Sequence, residues 1–367
     1  MRRRTSNFTG SAVVVAIVAI AAALALPALG ANDHKVVAKK TYRFVLSNNF
    51  LGNDWRPQME RLATLTAKQS PFAGRITLDV INAESTTQAQ VQSLNNIVAS
   101  KPDAILIDAG SPTALNPAVR RACAAGIVVV SFDQTVTEPC AWRVSQNHGD
   151  GQLAIGKWMG LVLKGSGSVF VDRGLPGAPI SSIIENGFKN GLKAQAPKVT
   201  IGGSYDGKYA IGPTQQAIAS LLGGKPDVSG VATQGYCTAA FNAFKQAGKP
   251  LVPTTCYGYN GELVACAKNK VPCAILSGSP TVVQIAMKLA LDALDRKPTP
   301  PKTKNVTIPW TVYLTGPKVN LGKIPAGGSV QYVSLGKNAF PSLPPGLALP
   351  YTLPQYKISA GQAVAKR

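Results

Sequence analysis

From residue 41 onward, short apolar runs rich in β-branched residues alternate with segments whose apolar positions recur every three or four residues. The runs are typical of buried strands, and the segments are typical of amphipathic helices. In the first half, the predicted strands are Tyr42–Leu46, Ile76–Ile81, Ala104–Ile107 and Ile127–Phe132. The predicted helices are Trp55–Lys68, a helix that follows the capping box Ser85-Thr86-Thr87-Gln88, and Asn116–Ala125.

The same alternation resumes after residue 146. The predicted strands are Val169–Val171, Val199–Ile201, Gly230–Thr233, Leu251–Val252, Ala274–Leu276 and Val306–Leu314. The predicted helices are Leu153–Leu163, Ser182–Ala194, Gln215–Leu222, Thr238–Ala247, Glu262–Lys268 and Thr281–Leu294. Strands that alternate with helices in this way predict an α/β fold built on parallel sheets.

The length of the chain predicts two α/β units, because one hydrophobic core rarely grows beyond about 300 residues. We assign residues 31–136 to an N-terminal lobe and residues 137–296 to a C-terminal lobe. Residues 297–315 begin with a proline-rich stretch and end in a strand that is expected to cross back between the lobes. Residues 316–367 contain several Pro and Gly, six basic residues and no acid, which predicts an extended, partly disordered tail over the surface.

The first thirty residues have the composition of a secretory signal peptide. Arg2, Arg3 and Arg4 precede an apolar run from Ala12 to Leu26, and Pro27 and small residues follow it. The run is short for a stable membrane span, so cleavage near Gly30 is favoured over the alternative of a membrane anchor. The mature protein is therefore expected in the periplasm.

The formal net charge of +21 is high for a globular protein. A large basic excess can indicate a nucleic acid or an anionic surface as the partner. Here the Lys and Arg residues are scattered, and the excess arises as much from only 17 acids. Export also argues against nucleic acid, so we interpret the charge as a solvated surface and predict no nucleic-acid partner.

Six cysteines in an exported chain predict disulfides rather than a metal site. With only two histidines and no C-x-x-C pair, neither a metal nor another cofactor is expected. Pairing between neighbours in sequence would join Cys123 to Cys140, and three pairings remain open among the other four. Their local pairing would be Cys237 with Cys256 and Cys266 with Cys273.

Several motifs in this layout resemble the ribose-binding branch of periplasmic sugar-binding proteins, the soluble receptors of ABC importers. The resemblance covers about residues 41–315. It is most specific at residues 46–56 (LSNNFLGNDWR), 101–107 (KPDAILI) with 110–112 (GSP), 125–133 (AGIVVVSFD) and 187–188 (GF). It implies a type I periplasmic binding protein fold, in which two Rossmann-like lobes on a hinge close around a sugar. It also implies that Asp133 binds sugar hydroxyls and that a membrane ABC permease receives the ligand.

The residues support a binding cleft independently of the resemblance. Ligands of open parallel sheets bind outside the carboxyl ends of strands, and Asp133 follows such a strand. A carboxylate there can accept charge-assisted hydrogen bonds, amides can both donate and accept, and an aromatic face can lie against a sugar ring. The predicted ligand-binding residues are Asn48, Asn49, Asn53, Trp55, Asp133, Gln134, Tyr205, Gln234, Tyr236, Tyr257, Tyr259 and Gln284.

Departures from the family pattern put ribose itself in doubt. Gln134 stands where ribose receptors carry an arginine, and Ser182–Asn186 lacks a second expected arginine. Tyr257-Gly258-Tyr259 replaces a phenylalanine–aspartate pair. The pocket is therefore expected to be less charged and more aromatic, and its ligand to be another sugar, a polyol or a small cyclic compound.

The expected activity is binding without catalysis by a monomer. A hydrolase, the alternative from another class, lacks support because no nucleophile motif or close carboxylate pair is evident. A ligand sensor that serves a membrane receptor remains the second alternative, because it would use the same pocket.

Overall fold

A computed structural model describes residues 40–224, 227–298 and 303–365. The predicted signal peptide, residues 1–30, lies outside the described residues, as do positions 299–302 of the predicted crossover. Among the described residues, no helix combines the length and the apolar composition that a membrane span requires.

The described residues form thirteen strands and ten helices. The strands are β1 (Tyr42–Asn48), β2 (Ile76–Asn82), β3 (Ala104–Asp108), β4 (Val128–Phe132), β5 (Trp142–Gln146), β6 (Ser168–Asp172), β7 (Thr200–Tyr205), β8 (Gly230–Ala232), β9 (Thr254–Tyr257), β10 (Cys273–Leu276), β11 (Asn305–Ile308), β12 (Trp310–Thr315) and β13 (Gly328–Val333). The helices are α1 (Trp55–Ala67), α2 (Thr87–Ala99), α3 (Asn116–Ala124), α4 (His148–Val162), α5 (Pro179–Gln195), α6 (Ile211–Gly224), α7 (Cys237–Gln246), α8 (Asn260–Asn269), α9 (Val282–Leu294) and α10 (Ala360–Val364).

These strands make two sheets, one in each lobe. The first has the order β11-β5-β4-β3-β1-β2, and its pairs are all parallel. The second has the order β13-β12-β10-β9-β8-β6-β7 and is parallel except where β12 runs antiparallel to β10. The predicted α/β fold class with two parallel-sheet lobes is confirmed.

The sheets divide the chain at places that differ from the predicted ranges. Strand β5 lies beyond residue 136 but pairs with β4 in the first sheet. Helix α9 lies within 137–296, yet it packs against β3, β4, β5 and α1 of the first lobe. The apolar face of α9 is covered by the first sheet, so tertiary packing rather than chain position decides its lobe.

Local differences from the predicted elements have identifiable causes. The predicted strand Val306–Leu314 is two strands, because Pro309 has no N–H for a ladder and the chain passes there from the first sheet to the second. The predicted strand Leu251–Val252 is displaced to β9, just beyond Pro253. The cap of α2 is Thr86 rather than Ser85, since the Thr86 hydroxyl accepts from the Ala89 N–H at 3.1 Å.

Helix α4 begins at His148, five residues before its predicted start at Leu153. Its first turn holds Gly149 and Gly151, which lower helix propensity and hide the start in the sequence. The Asn147 side chain caps this turn by accepting from the Asp150 N–H at 3.2 Å. His148 therefore lies just beyond the carboxyl end of β5.

Helices α4 and α5 pack with their backbones in close approach. A Cβ at Gly156 would overlap the Phe188 carbonyl, and a Cβ at Gly191 would overlap the Leu153 carbonyl. Glycine is therefore required at both positions of this interface. The tight contact holds the start of α5 near the carboxyl ends of the second sheet, where the site lies.

Three disulfides join the six cysteines in the order of the chain. Cys123 is bonded to Cys140, Cys237 to Cys256, and Cys266 to Cys273. The local pairing is therefore present in the second lobe as well. Within the described ranges, the residue groups close enough to ligate a metal are made of these bonded cysteines and Glu262.

The C-terminal segment is more ordered than the predicted tail. Strand β13 extends the second sheet, and residues 338–365, which we call the strap, pack on both lobes. Ala348 pairs with Tyr259 of the second lobe. On its other side, the Ala348 N–H and carbonyl bond both amide atoms of the buried Gln58 in α1, at 2.9 and 3.2 Å.

Replacing Gln58 with Ala should lower the free energy of unfolding by about 2 kcal/mol, because two buried backbone groups of Ala348 lose their partners. Urea denaturation of the protein lacking residues 1–30 measures the change. Gln69→Ala is the matched control. Gln69 makes the same pair of bonds to Lys357, but at a solvent-exposed position, so its loss should cost well under 1 kcal/mol. Equal losses in both variants would contradict the proposed role of burial.

Candidate ligand-binding site

A cleft lies where the carboxyl ends of the two sheets face each other. About 510 Å³ of space lies between the protein atoms there, including the open mouth of the cleft. Loops after β1, β4, β7, β8 and β9 and the start of α5 form its walls. The lining residues are Phe50, Asn53, Trp55, Arg56, Asp133, Gln134, Ile180, Ile184, Tyr209, Gln234, Gly235, Tyr236, Tyr257 and Tyr259.

Asp133 follows β4 and projects its carboxylate into this cleft. Its side chain is 14% exposed and makes no hydrogen bond to another described residue. Arg56 Nη2 and His148 Nε2 are each 4.0 Å from one of its oxygens. The backbone φ is +55°, a left-handed conformation that Asp tolerates better than most residues and that often occurs at functional sites. Burial raises the pKa of Asp133, and Arg56 opposes that rise.

Arg56 lies in the floor of the cleft with its side chain only 3% exposed. Its Nη1 donates to Asn48 Oδ1 at 2.6 Å and lies 2.6 Å from Asp108 Oδ2. Burial holds the pKa of Asp108 well above its usual range, although the Arg56 charge lowers it. The guanidinium thus ties the end of β1 to the end of β3 and faces Asp133 from below.

His148 completes this group as a neutral side chain. Burial lowers the pKa of His148 to about 4, so its ring is uncharged at neutral pH. The Nδ1 atom has no hydrogen-bond partner in the described part of the chain. Its ring lies roughly parallel to that of Tyr257, with 6.4 Å between centroids.

Aromatic rings form the second-lobe wall of the cleft. Tyr236 and Tyr259 stack with their rings 4° from parallel and 5.2 Å apart, and Tyr257 is tilted against Tyr259. Burial raises the pKa of all three hydroxyls; they therefore stay protonated and can donate. Trp55 faces them from α1, and its indole N–H donates to the Gly278 carbonyl at 3.0 Å.

Two amide oxygens at the cleft carry unused acceptor capacity. Gln134 Oε1 and Gln234 Oε1 are buried and have no hydrogen-bond partner among the described residues. The orientation of Gln234 is fixed, because its Nε2 donates to the Asp172 and Ser181 carbonyls, both at 3.0 Å. Each lobe therefore contributes one residue of the cleft lining whose buried amide oxygen has no partner in the described part of the chain.

The structure brings eight of the twelve predicted residues together at this cleft. They are Asn53, Trp55, Asp133, Gln134, Gln234, Tyr236, Tyr257 and Tyr259. The other four lie outside its lining. Asn48 and Asn49 hold Arg56 from behind. Tyr205 donates to the Ala232 carbonyl within the core, and Gln284 bonds Thr66 and the strap at Leu353. Ser279 likewise bonds the strap, at Pro350.

The remaining lining residues were not predicted from the sequence. They are Phe50, Arg56, Ile180, Ile184, Tyr209 and Gly235. Arg56 directly follows Trp55, but a helical arginine is usually interpreted as a surface residue. Tyr209 was missed because β7 runs to Tyr205 rather than ending at Ile201, which moves the following loop to the cleft.

Comparisons with known proteins place this architecture. A family model described as a periplasmic binding protein domain matches residues 44–298. The ribose import binding protein of Bacillus subtilis is 24% identical over 261 residues, which cover 70% of this chain and 82% of that protein. The D-ribose/D-allose-binding protein of Pseudomonas aeruginosa is 23% identical over 216 residues, 56% of this chain and 67% of that protein.

Among solved structures, an ABC transporter solute binding protein from Thermobispora bispora is similar to this chain at 30% identity. The TM-score is 0.69, and the match covers 74% of this chain and 84% of that one. The family model is that of a binding protein domain, and both of these relatives are binding proteins. They therefore support the predicted absence of an enzymatic function and the resemblance identified from the motifs.

Replacing Arg56 with Met should lower the free energy of unfolding by about 3 kcal/mol at pH 7, because Asp108 loses its buried cation. The pKa of Asp108 is already raised in the folded state, so its ionisation costs stability as pH rises. The loss should therefore be larger at pH 8 than at pH 6. Urea denaturation at both pH values measures it, with Arg56→Met/Asp108→Asn as the control that should lose most of the pH dependence. A single-variant loss that is the same at both pH values would contradict this account.

Proposed function

The chain belongs to the periplasmic binding protein family, and on that premise we propose that it captures a neutral monosaccharide or polyol between its two lobes. Export to the periplasm, a monomeric state and delivery to a membrane ABC permease are parts of the same proposal. They rest on the signal-like residues 1–30 and on the similarity to the ribose import binding protein.

The observation that carries the proposal is a set of hydrogen-bond acceptors without partners opposite an aromatic wall. The Asp133 carboxylate and the Oε1 atoms of Gln134 and Gln234 lack hydrogen-bond partners in the described ranges, although all three line one cleft. Buried acceptors are normally satisfied in folded proteins. A molecule rich in hydroxyl groups would satisfy them, while its C–H face would pack against the tyrosine rings.

The charges at the cleft favour a neutral ligand. Arg56 is already engaged by Asn48 and Asp108, so its charge is largely compensated. Asp133 faces the cleft, and Arg56 Nη2 is 4.0 Å from its carboxylate, too far for a direct hydrogen bond. An anionic group placed beside that carboxylate would add repulsion in a poorly solvated space. Gln134 adds no positive charge, which supports the expectation that the ligand differs from ribose.

Calorimetric titration of the protein lacking residues 1–30 with D-ribose, D-allose, D-galactose, D-fucose, L-arabinose and D-fructose tests the proposal. Binding of at least one sugar at micromolar concentration is expected. The sugar should come back chemically unchanged. No binding to any of the six would count against a monosaccharide receptor.

Replacing Asp133 with Asn should weaken binding of the tightest-bound of these sugars by about 2 kcal/mol, roughly 30-fold, because one acceptor oxygen becomes an amide donor and the other loses its charge. Asn tolerates the left-handed backbone at this position, so the thermal unfolding midpoint should change little. Asp150→Asn is the matched control, since Asp150 lies in the first turn of α4 and does not line the cleft. Unchanged affinity in Asp133→Asn would remove this carboxylate from the recognition site.

Sugar acids should bind at least 10-fold more weakly than their neutral counterparts, because their carboxylate would approach Asp133. The comparison pairs D-galacturonate with D-galactose and D-ribonate with D-ribose, each by calorimetric titration at pH 7. An acid that binds more tightly than its neutral sugar would show that Arg56 is available to the ligand, contrary to its engagement by Asp108.

A further inference from the structure

Asp172 is a buried carboxylate behind the second-lobe wall of the cleft. It ends β6, is 2% exposed and does not line the cleft itself. Its Oδ1 accepts from the Gly174 and Gly207 N–H groups, both at 2.8 Å, and its Oδ2 accepts from the Gln234 N–H at 3.0 Å. One side chain thus holds the loops that follow β6, β7 and β8.

The backbone is shaped to fit this carboxylate. A Cβ at Gly207 would overlap Asp172 Oδ2 and the Thr214 hydroxyl, so only glycine lets that loop approach. Gly174 has a φ of +76°, and a Cβ there would overlap Gln234 Oε1 and the Ser181 hydroxyl. Both glycines therefore allow their loops to approach the Asp172 carboxylate closely.

A continuous chain of contacts leads from Asp172 to the cleft. The Gln234 Nε2 donates to the Asp172 carbonyl and to the Ser181 carbonyl. The Ser181 hydroxyl is 2.5 Å from the Tyr209 hydroxyl. Gln234 and Tyr209 both line the cleft, and the buried Gln234 Oε1 has no hydrogen-bond partner among the described residues.

We propose that Asp172 is a positioning residue for ligand recognition: it orients Gln234 and Tyr209 by anchoring three loops, without touching the ligand. This inference rests on the proposed function. It extends that function by proposing that a residue outside the cleft sets the orientation of the second-lobe side chains in the site.

The charge state of Asp172 gives the proposal a pH signature. Burial raises the pKa of Asp172 to about 6, although three backbone N–H bonds lower it. The nearby charged or titratable groups are Asp206, which pairs with Arg173 at 2.8 Å, and the hydroxyls of Tyr205 and Tyr209. A proton on the carboxyl group removes acceptor capacity from one oxygen, so the hold on the loops weakens as pH falls through about 6.

Asp172→Asn tests the proposal. If the Asn oxygen keeps the bonds to the Gly174 and Gly207 N–H groups, its Nδ2 stands opposite the Gln234 N–H, and two donors cannot form a hydrogen bond. Against the same six sugars, the variant should bind the tightest one at least 10-fold more weakly. In Asp172→Asn/Gln234→Ala the two losses should be less than additive, because the part of the Asp172 effect that passes through Gln234 is already absent in Gln234→Ala. Glu138→Gln, a buried carboxylate of the first lobe that pairs with Arg120, should bind as the unmodified protein does. Unchanged affinity in Asp172→Asn, or additive losses in the double variant, would overturn the proposal.

A measurement without ligand separates this inference from the proposed function. In the unmodified protein, the ¹H–¹⁵N signals of Gly174, Gly207 and Gln234 should shift together with pH, with a common midpoint near 6. They should lose that transition in Asp172→Asn. If no sugar of the six binds, the proposed function fails for this panel, while these signals still decide the role of Asp172. Three amides that titrate independently would overturn it.

Discussion

A full positive charge enclosed beneath the cleft is the constraint on which the first half of the site depends. Transfer of a guanidinium from water into a protein interior is unfavourable unless a counter-charge and hydrogen bonds compensate it. Asp108 and Asn48 supply both for Arg56, which fixes the ends of β1 and β3 relative to α1. Asp133 then lies too far from the same cation for a strong pair, and its oxygens remain directed toward the cleft.

In the second lobe, a buried negative charge is stabilised by backbone groups rather than by a cation. Asp172 is buried as deeply as Arg56, but its partners are three backbone N–H groups from different loops. Backbone amides are rigid and carry partial positive charge, so they can stabilise a carboxylate while leaving its pKa within reach of mild acid. The two lobes therefore hold the loops at the cleft by different means, one by an ion pair and one by backbone donors.

The strap, residues 338–365, adds a connection between the lobes beyond the residues that the family model matches. Its buried residues Leu347, Leu349 and Tyr356 join a single hydrophobic cluster with side chains of both lobes. Ala348 is bonded to Gln58 on one side and paired with Tyr259 on the other. The strap therefore contacts both lobes through backbone groups of one residue, Ala348 and its neighbours, as well as through apolar side chains.

The sequence by itself determined the fold class and much of the first-lobe site. Apolar periodicity identified most strands and helices, because burial imposes periods of 2 and 3.6 on the residues involved. Asp133 was predicted at the cleft because ligands of open parallel sheets bind outside the carboxyl ends of strands, and the structure places it in the cleft lining. The cysteine order favoured pairing between neighbours, although it left three possibilities among the last four.

Only the tertiary structure decided which polar residues face the cleft. Asn48 and Asp133 look equivalent in the sequence, since each stands at the end of a strand. Asn48 binds the buried Arg56, whereas Asp133 faces the open space, and that choice depends on a side chain from α1. Gln284 was predicted near the ligand but bonds the strap, because a segment about seventy residues later in the chain returns to cover it. Such contacts between distant segments leave no periodic trace, so packing alone assigns these side chains their roles.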